Sequence, residues 1–337
     1  MNNQGISYHP LPKIELHVHL DCCLSFEAVQ KLDPACNFET YQTKFVGPAK
    51  CADLNEYLSF AMHAIALMQS KEQLALVTND LIDQLEADNV IYAEIRFAPF
   101  LHIKDGLQPR EVVETVLNEV TQRCASGKIK LGVILCTLRS FPVELSLATV
   151  ELIALYRDMG IVGFDIAGDE SGYALQNHLP AFLKAKSYGI PITAHSGEAL
   201  GAQSVAETMR LLDPDRIGHG TRSFEDDVVL NEIINKRIHL EVCPASNVQT
   251  NVIDRLSDHP VTTFKKKGVS FGINTDGRTI CDTTLNKEWE ALSQTFGWGL
   301  AEWYEASMNA IDHAFTDYET KSFMRHKVQM AYNEALK

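Results

Sequence analysis

The sequence predicts an α/β protein of the (β/α)8 class, a TIM barrel with extra helices after the first strand and at the C-terminus. Three observations carry the prediction. Eight short runs rich in β-branched residues alternate with longer amphipathic segments, the pattern of parallel strands joined by helical crossovers. A chain of 337 residues with 45% hydrophobic side chains has the size and core of one such barrel. The rival architecture, an open doubly wound sheet, would show a glycine-rich phosphate turn after an early strand, and the sequence has none. Residues 1–337 therefore read as a single domain.

The first strand is IELHVHL (14–20). Its connection is long, and residues 21–89 hold two or three extra helices, the first opening near Ser25 as a cap. The second strand is VIYAEIRFA (90–98), followed by the amphipathic segment PREVVETVLNEVTQRCA (109–125). KLGVILCTL (130–138) and IVGFDIAG (161–168) are strands three and four, and NHLPAFLKAKSYG (177–189) is the helix that leads to strand five, IPITAHS (190–196). RIGHG (216–220), IHLEVCP (238–244) and VSFGINTD (269–276) complete the set, and residues 301–336 form a helical tail. The glycines in SYGIPI and KKGVSF sit where a helix stops and a strand begins.

Composition excludes several classes of function. With 30 Lys+Arg against 44 Asp+Glu, the net charge of −14 argues against a binder of nucleic acid phosphates. No apolar run is long enough to cross a bilayer, and MNNQGISYHP lacks the pattern of an export signal. A cytoplasmic enzyme is the expectation, with its eight cysteines as reduced thiols. No CxxC pair occurs, which excludes a cysteine-rich zinc module.

The chemistry sits at the strand ends. In a strand, residues i and i+2 share a face, so His17 and His19 project together into the barrel or its mouth. TAHSGE places His195 at the end of strand five and Glu198 just beyond it. RIGHG places His219 at the end of strand six, and GINTD places Asp276 at the end of strand eight. Taken singly, each has an ordinary explanation: His219 as a turn residue, Glu198 as a helix N-terminal carboxylate, Asp276 as a turn aspartate. Taken together, they stand at the end of the barrel where active sites form. Three imidazoles and one carboxylate make a zinc shell with an open position for water, and residue type alone leaves iron, cobalt and manganese open. The remaining histidines read differently. His63, His102, His178, His259, His313 and His326 fall in helices or connections, as structural or surface residues. His239 begins strand seven, away from the active end, and His9 lies in the N-terminal arm.

These residues, in this order, make the sequence resemble the adenosine deaminase family of metal-dependent amidohydrolase barrels. The anchors are PKIELHVHLD (12–21), YAEIRFAP (92–99), VGFDIAGDE (162–170), TAHSGE (193–198), RIGHG (216–220), CPASNVQT (243–250) and GINTD (272–276). The resemblance implies one Zn2+ per chain on His17, His19, His195 and Asp276. It implies Glu198 as the proton donor to purine N1, and His219 as the group that orients the attacking water. Asp276 would also accept that water's proton. Asp21 would hold a ribose hydroxyl and the backbone of Gly168 would meet purine N3, so that His19, Asp21, Gly168 and Glu198 face the substrate. Strand four ends without the lysine that binuclear relatives carboxylate, which implies a single metal. The implied reaction is hydrolysis of adenosine or 2′-deoxyadenosine to inosine or 2′-deoxyinosine and ammonia, a step of purine salvage. The implied partner is a small purine nucleoside, with neither nucleic acid nor membrane. Leu54–Met68, apolar and helical in pattern, falls where relatives form the substrate gate.

The sequence departs from the family pattern at two places. Where many members carry a second aspartate that meets purine N7, this chain has Gly277, which leaves water, backbone or Arg278 for that contact. Cys22-Cys23 follows HLD where glycine is common, and reads as packing rather than as metal ligands. The HxE and PCxxC signature of the cytidine-type zinc deaminases is absent. The alternatives are deaminases of adenine or of a modified adenosine, a non-catalytic barrel with a binding role, and an amidohydrolase acting on cyclic amides.

Overall fold

The structure, a computed structural model, describes residues 8–336. Its strands are β1 (Lys13–His19), β2 (Val90–Phe97), β3 (Lys130–Leu138), β4 (Ile161–Ala167), β5 (Thr193–Ser196), β6 (Arg216–His219), β7 (His239–Val242) and β8 (Phe271–Ile273). The helices are α1 (Phe26–Leu32), α2 (Phe38–Lys44), α3 (Leu54–Ala66), α4 (Lys71–Ala87), α5 (Pro109–Ala125), α6 (Val143–Tyr156) and α7 (Leu179–Ser187). They continue with α8 (Ala202–Leu212), α9 (Asp227–Lys236), α10 (Pro244–Gln249), α11 (Val261–Lys267), α12 (Leu285–Phe296), α13 (Leu300–His313) and α14 (Tyr318–Ala335).

The strands pair in parallel and in sequence order, β1 to β4 in one ladder and β5 to β8 in another. Two single bridges, Phe164–Ile192 and Val18–Asp276, join the ladders and close the ring. At the second seam the His19 N–H donates to the Asp276 carbonyl and the Asp276 N–H to the His17 carbonyl, both at 2.9 Å. The barrel thus closes at three of the expected metal ligands, His17, His19 and Asp276.

The predicted barrel is present, but β5 to β8 are shorter than their sequence runs. Pro191 has no N–H to give the ladder, so β5 begins only at Thr193. Pro244 opens α10 and ends β7 at Val242. Beyond Ile273 the regular ladder is interrupted: the Asn274 side chain accepts the Leu16 N–H at 2.8 Å, and backbone pairing with β1 resumes only at Asp276.

Outward side chains such as Leu16, Val18 and Leu20 pack against the helical layer in two large apolar clusters. The interior is charged. Glu15, Glu94, Arg96, Asp165, Arg216 and Glu241 are all fully buried there. Ion pairs connect them: Arg96 to Asp165 at 3.0 Å and to Glu241 at 2.8 Å, and Arg216 to Glu241 at 2.7 Å.

The insertion after β1 holds four helices. The last of them, α4, packs against β2 and α5 as the barrel's own first helix, leaving three extra ones. Ser25 caps α1 by accepting the Ala28 N–H, as expected. Before α3, the chain crosses to the loops after β7 and β8: Gly47 N–H bonds the Ile280 carbonyl at 2.9 Å, and Cys51 N–H bonds the Gln249 carbonyl at 2.7 Å. This lays α3 beside the C-terminal mouth.

Candidate active site

Alternation along β1 turns Glu15, His17 and His19 to the same side, with His17 deepest. His195 comes from the end of β5, and Asp276 lies three residues past β8 with a left-handed φ of 60°. One ligand atom from each of His17, His19, His195 and Asp276 lies within 4.8 Å of all the others. The Nε2 atoms of His19 and His195 stand 3.1 Å apart, and Asp276 Oδ1 lies 3.4 Å from the Nε2 of both His17 and His19.

Hydrogen bonds behind the rings fix what they present. His17 Nδ1–H donates to Glu241 at 2.8 Å, and His195 Nδ1–H donates to Asp165 at 3.1 Å. With the protons on Nδ1, each Nε2 offers a lone pair toward the same point. His17 Nε2 is buried without a hydrogen-bond partner. Lone pairs and a carboxylate oxygen converging without a donor between them are what a divalent cation requires, so these residues fit a single metal ion. The Asp276 carboxyl is held well below its ordinary range: burial opposes this, but the imidazoles of His17, His219 and His19 packed around it outweigh it. Its outer oxygen accepts from Ser246 at 2.7 Å and from Tyr57 at 3.2 Å.

Glu198 and His219 stand beside this set. Glu198 sits in the turn after β5, 3.5 Å from His219 Nε2, and the two join Asp276 in a second close group. The turn is held from below by Glu170, whose carboxylate accepts the N–H groups of Gly197, Glu198, Ala199 and Leu200 at 2.6–3.0 Å. Burial pushes the Glu198 carboxyl well above its ordinary range, and the charges of Asp276 and Glu170 push it further. His219, at a left-handed φ of 58°, is held well below the usual imidazole range by burial and by His17. Its Nδ1 accepts from Asn247 Nδ2 at 3.1 Å, because the Asn247 oxygen is taken by Thr221 at 2.7 Å and His259 at 3.2 Å. That places the His219 proton on Nε2, facing Glu198.

The structure thus brings His17, His19, His195, Glu198, His219 and Asp276 together. Asp21, in the turn after β1, lies 3.8 Å from His102 Nε2, and burial raises its carboxyl to about 6. Gly168 follows β4 with a left-handed φ of 89°. Cys22 packs with Tyr57 and Leu54, Cys23 lies in the main core, and burial raises both thiols well above the ordinary range. The packing reading of this pair matches their positions.

One expectation is corrected. Arg278 cannot reach a substrate, because its guanidinium turns away to Asp88 and to Glu15 and is 3% exposed. Among the remaining histidines, His102 and His259 prove to be neighbours of the site rather than remote structural residues. Sequence reasoning missed Tyr57, Asp165, Glu170, Glu241, Ser246 and Asn247. Period-two charge inside apolar strands, as in Glu94 and Arg96, was the available signal for the buried layer. No comparable spacing announces Tyr57 or Asn247.

Comparison with known proteins agrees with this geometry. A family model described as "Adenosine deaminase" matches residues 12–331. An adenosine deaminase from Clostridium acetobutylicum is 36% identical over 92% of this chain and 95% of its own. Among solved structures, an adenine deaminase from Arthrobacter aurescens superposes with a TM-score of 0.89 at 23% identity, over 96% of this chain and 99% of that one. An amidohydrolase from Burkholderia ambifaria, solved with bound Zn, gives 0.89 at 20% identity, over 99% and 96%.

Proposed function

The chain belongs to the adenosine deaminase family, and from that premise we propose how it works. It is a hydrolase that deaminates adenosine, and 2′-deoxyadenosine with it, releasing ammonia and leaving inosine or 2′-deoxyinosine. The metal is one zinc ion on His17, His19, His195 and Asp276. The convergence of four donors within 4.8 Å, with Glu198 and His219 beside them, carries this reading. Three nitrogen ligands and one carboxylate suit zinc.

When bound, the metal supplies Lewis acidity that brings the pKa of a water toward neutrality. The chain does the rest. Water oxygen adds to C6 of the purine, which resists attack unless N1 gains a proton as the bond forms. Glu198, kept protonated by burial and by two nearby carboxylates, gives that proton. His219 donates its Nε2–H to the attacking oxygen and orients it, and Asp276 accepts the water's proton. Asp276 passes that proton to the departing nitrogen, the C6–N bond breaks and ammonia leaves, and the C6 hydroxyl returns a proton to Glu198 as it becomes the carbonyl. Asp21 and the Gly168 backbone hold the sugar and the purine edge.

The deciding experiment is ultraviolet turnover of adenosine, 2′-deoxyadenosine, adenine and methylthioadenosine by the zinc-loaded protein. Turnover of the two nucleosides is expected. Turnover of adenine alone would overturn the substrate assignment. An active protein with no stoichiometric metal and no sensitivity to chelator would overturn the metal site.

A further inference from the structure

The missing side chain at Gly277 and the buried hydroxyl of Tyr57 are parts of one arrangement. A Cβ built on Gly277 would stand 2.5 Å from Tyr57 Oη and 3.0 Å from Cys22 Cβ. Real Cβ atoms do not approach an oxygen so closely, so no side chain fits at 277 while Tyr57 is seated. Gly277 is not a left-handed glycine, and its backbone would accept any residue. The main constraint is therefore the hydroxyl, with Cys22 Cβ as a second and looser contact. Tyr57 lies on α3, 3% exposed, and its hydroxyl donates to Asp276 Oδ2 at 3.2 Å with Cys281 Sγ at 3.5 Å. Residues 219 apart in sequence are thus joined at a ligand of the proposed metal. Asn55, two residues earlier on the same helix, lies beside the Asp169 carboxylate in the loop after β4. Helix α3 is tied down on both sides of the mouth.

We propose that Tyr57 is a positioning residue that occupies the space left by the side chain absent at 277: with Ser246, its hydroxyl holds the outer oxygen of Asp276. The proposal rests on the reading of Asp276 as a metal ligand, but the steric pairing of Tyr57 with Gly277 does not.

The test is a double-mutant cycle of Tyr57→Phe and Gly277→Ala. It is followed by three readouts: adenosine turnover, bound zinc after dialysis, and melting temperature of the metal-free protein. Tyr57→Phe removes one hydrogen bond to a charged group, so kcat/KM falls about tenfold and zinc is retained less well. Gly277→Ala alone loses more activity and melts lower, because its methyl meets the hydroxyl. In the double variant the melting temperature returns toward that of Tyr57→Phe, since the clash is gone. Additive losses in melting temperature, or a Tyr57→Phe enzyme with unchanged kcat/KM and zinc retention, would overturn the proposal. A wild-type protein with neither zinc nor adenosine turnover would instead overturn the functional reading, and the melting-temperature cycle would still report on the pair.

Discussion

In the proposed mechanism Glu198 has to hold a proton at neutral pH, and its surroundings favour that. Burial raises its carboxyl, and Asp276 and Glu170 raise it further. The competent form is the protonated one, so activity is full below the raised pKa and falls as pH rises through it. The pH dependence of kcat/KM should therefore show an alkaline limb that Glu198→Gln abolishes, with turnover lowered on the order of 1,000-fold and zinc still bound. Near-normal turnover in that variant would remove Glu198 from its role. At His219 the decisive detail is the tautomer. Asn247 can only donate to His219 Nδ1, because its oxygen is occupied by Thr221 and His259. Asn247→Asp replaces that donor with an acceptor, draws the imidazole proton to Nδ1 and leaves Nε2 with nothing to give. A loss of about 100-fold in kcat with little change in KM is expected, and unchanged kcat would show that the tautomer does not matter. His219 and Glu198 could be found from the sequence because each ends a strand run in a short polar motif. Asn247 could not: it acts through a contact of 3.1 Å from α10 to the end of β6 that no periodicity encodes.

The elements that carry these side chains differ in how visible they are. Long strands and helices follow from hydrophobic period, and α5 occupies the residues that its pattern predicted. The short strands β5 to β8 were overread, because their apolar runs continue into turns that proline and side-chain hydrogen bonds pull out of the sheet. The turn from Ser196 to Leu200 is such a case. The N–H groups of residues 197–200 bond no backbone carbonyl, and Glu170 accepts all four together with the Ser196 and Ser204 hydroxyls. Glu170→Gln keeps the size but turns part of the acceptor into a donor, so some of these N–H groups lose their partner in a buried place. A cost of about 3 kcal/mol is expected, seen as a lower midpoint in urea. Because the turn carries Glu198 but no metal ligand, turnover should fall much more than zinc content does. Equal loss of zinc and turnover would mean that Glu170 serves general stability instead.

For the whole molecule, the unusual feature is a barrel filled with charge rather than with aliphatic layers. Arg96 and Arg216 pair with Glu94, Asp165 and Glu241, and two of those carboxylates fix His17 and His195, the imidazoles proposed to bind the metal. Burying such groups without partners is expensive, so the arrangement is sustained only as a complete set. Arg96→Met should cost about 3–5 kcal/mol, because it leaves Asp165 and Glu241 without their shared cation. The same set makes the molecule depend on its metal. One ligand atom from each of three imidazoles and Asp276 lies within 4.8 Å of the others, and His17 Nε2 has no hydrogen-bond partner. A cation that binds only the folded chain stabilises it by RT ln(1 + [M]/Kd), which is about 4 kcal/mol when the free metal is 1,000 times Kd. Dialysis against a chelator should therefore abolish adenosine turnover and lower the melting temperature by several degrees, and one equivalent of Zn2+ should restore both. In His17→Ala, turnover is lost and the melting temperature no longer responds to zinc, because the deepest ligand is gone. A melting temperature that zinc raises equally in wild type and in His17→Ala would mean that the ion binds elsewhere, and the charged interior would then have to be explained without it.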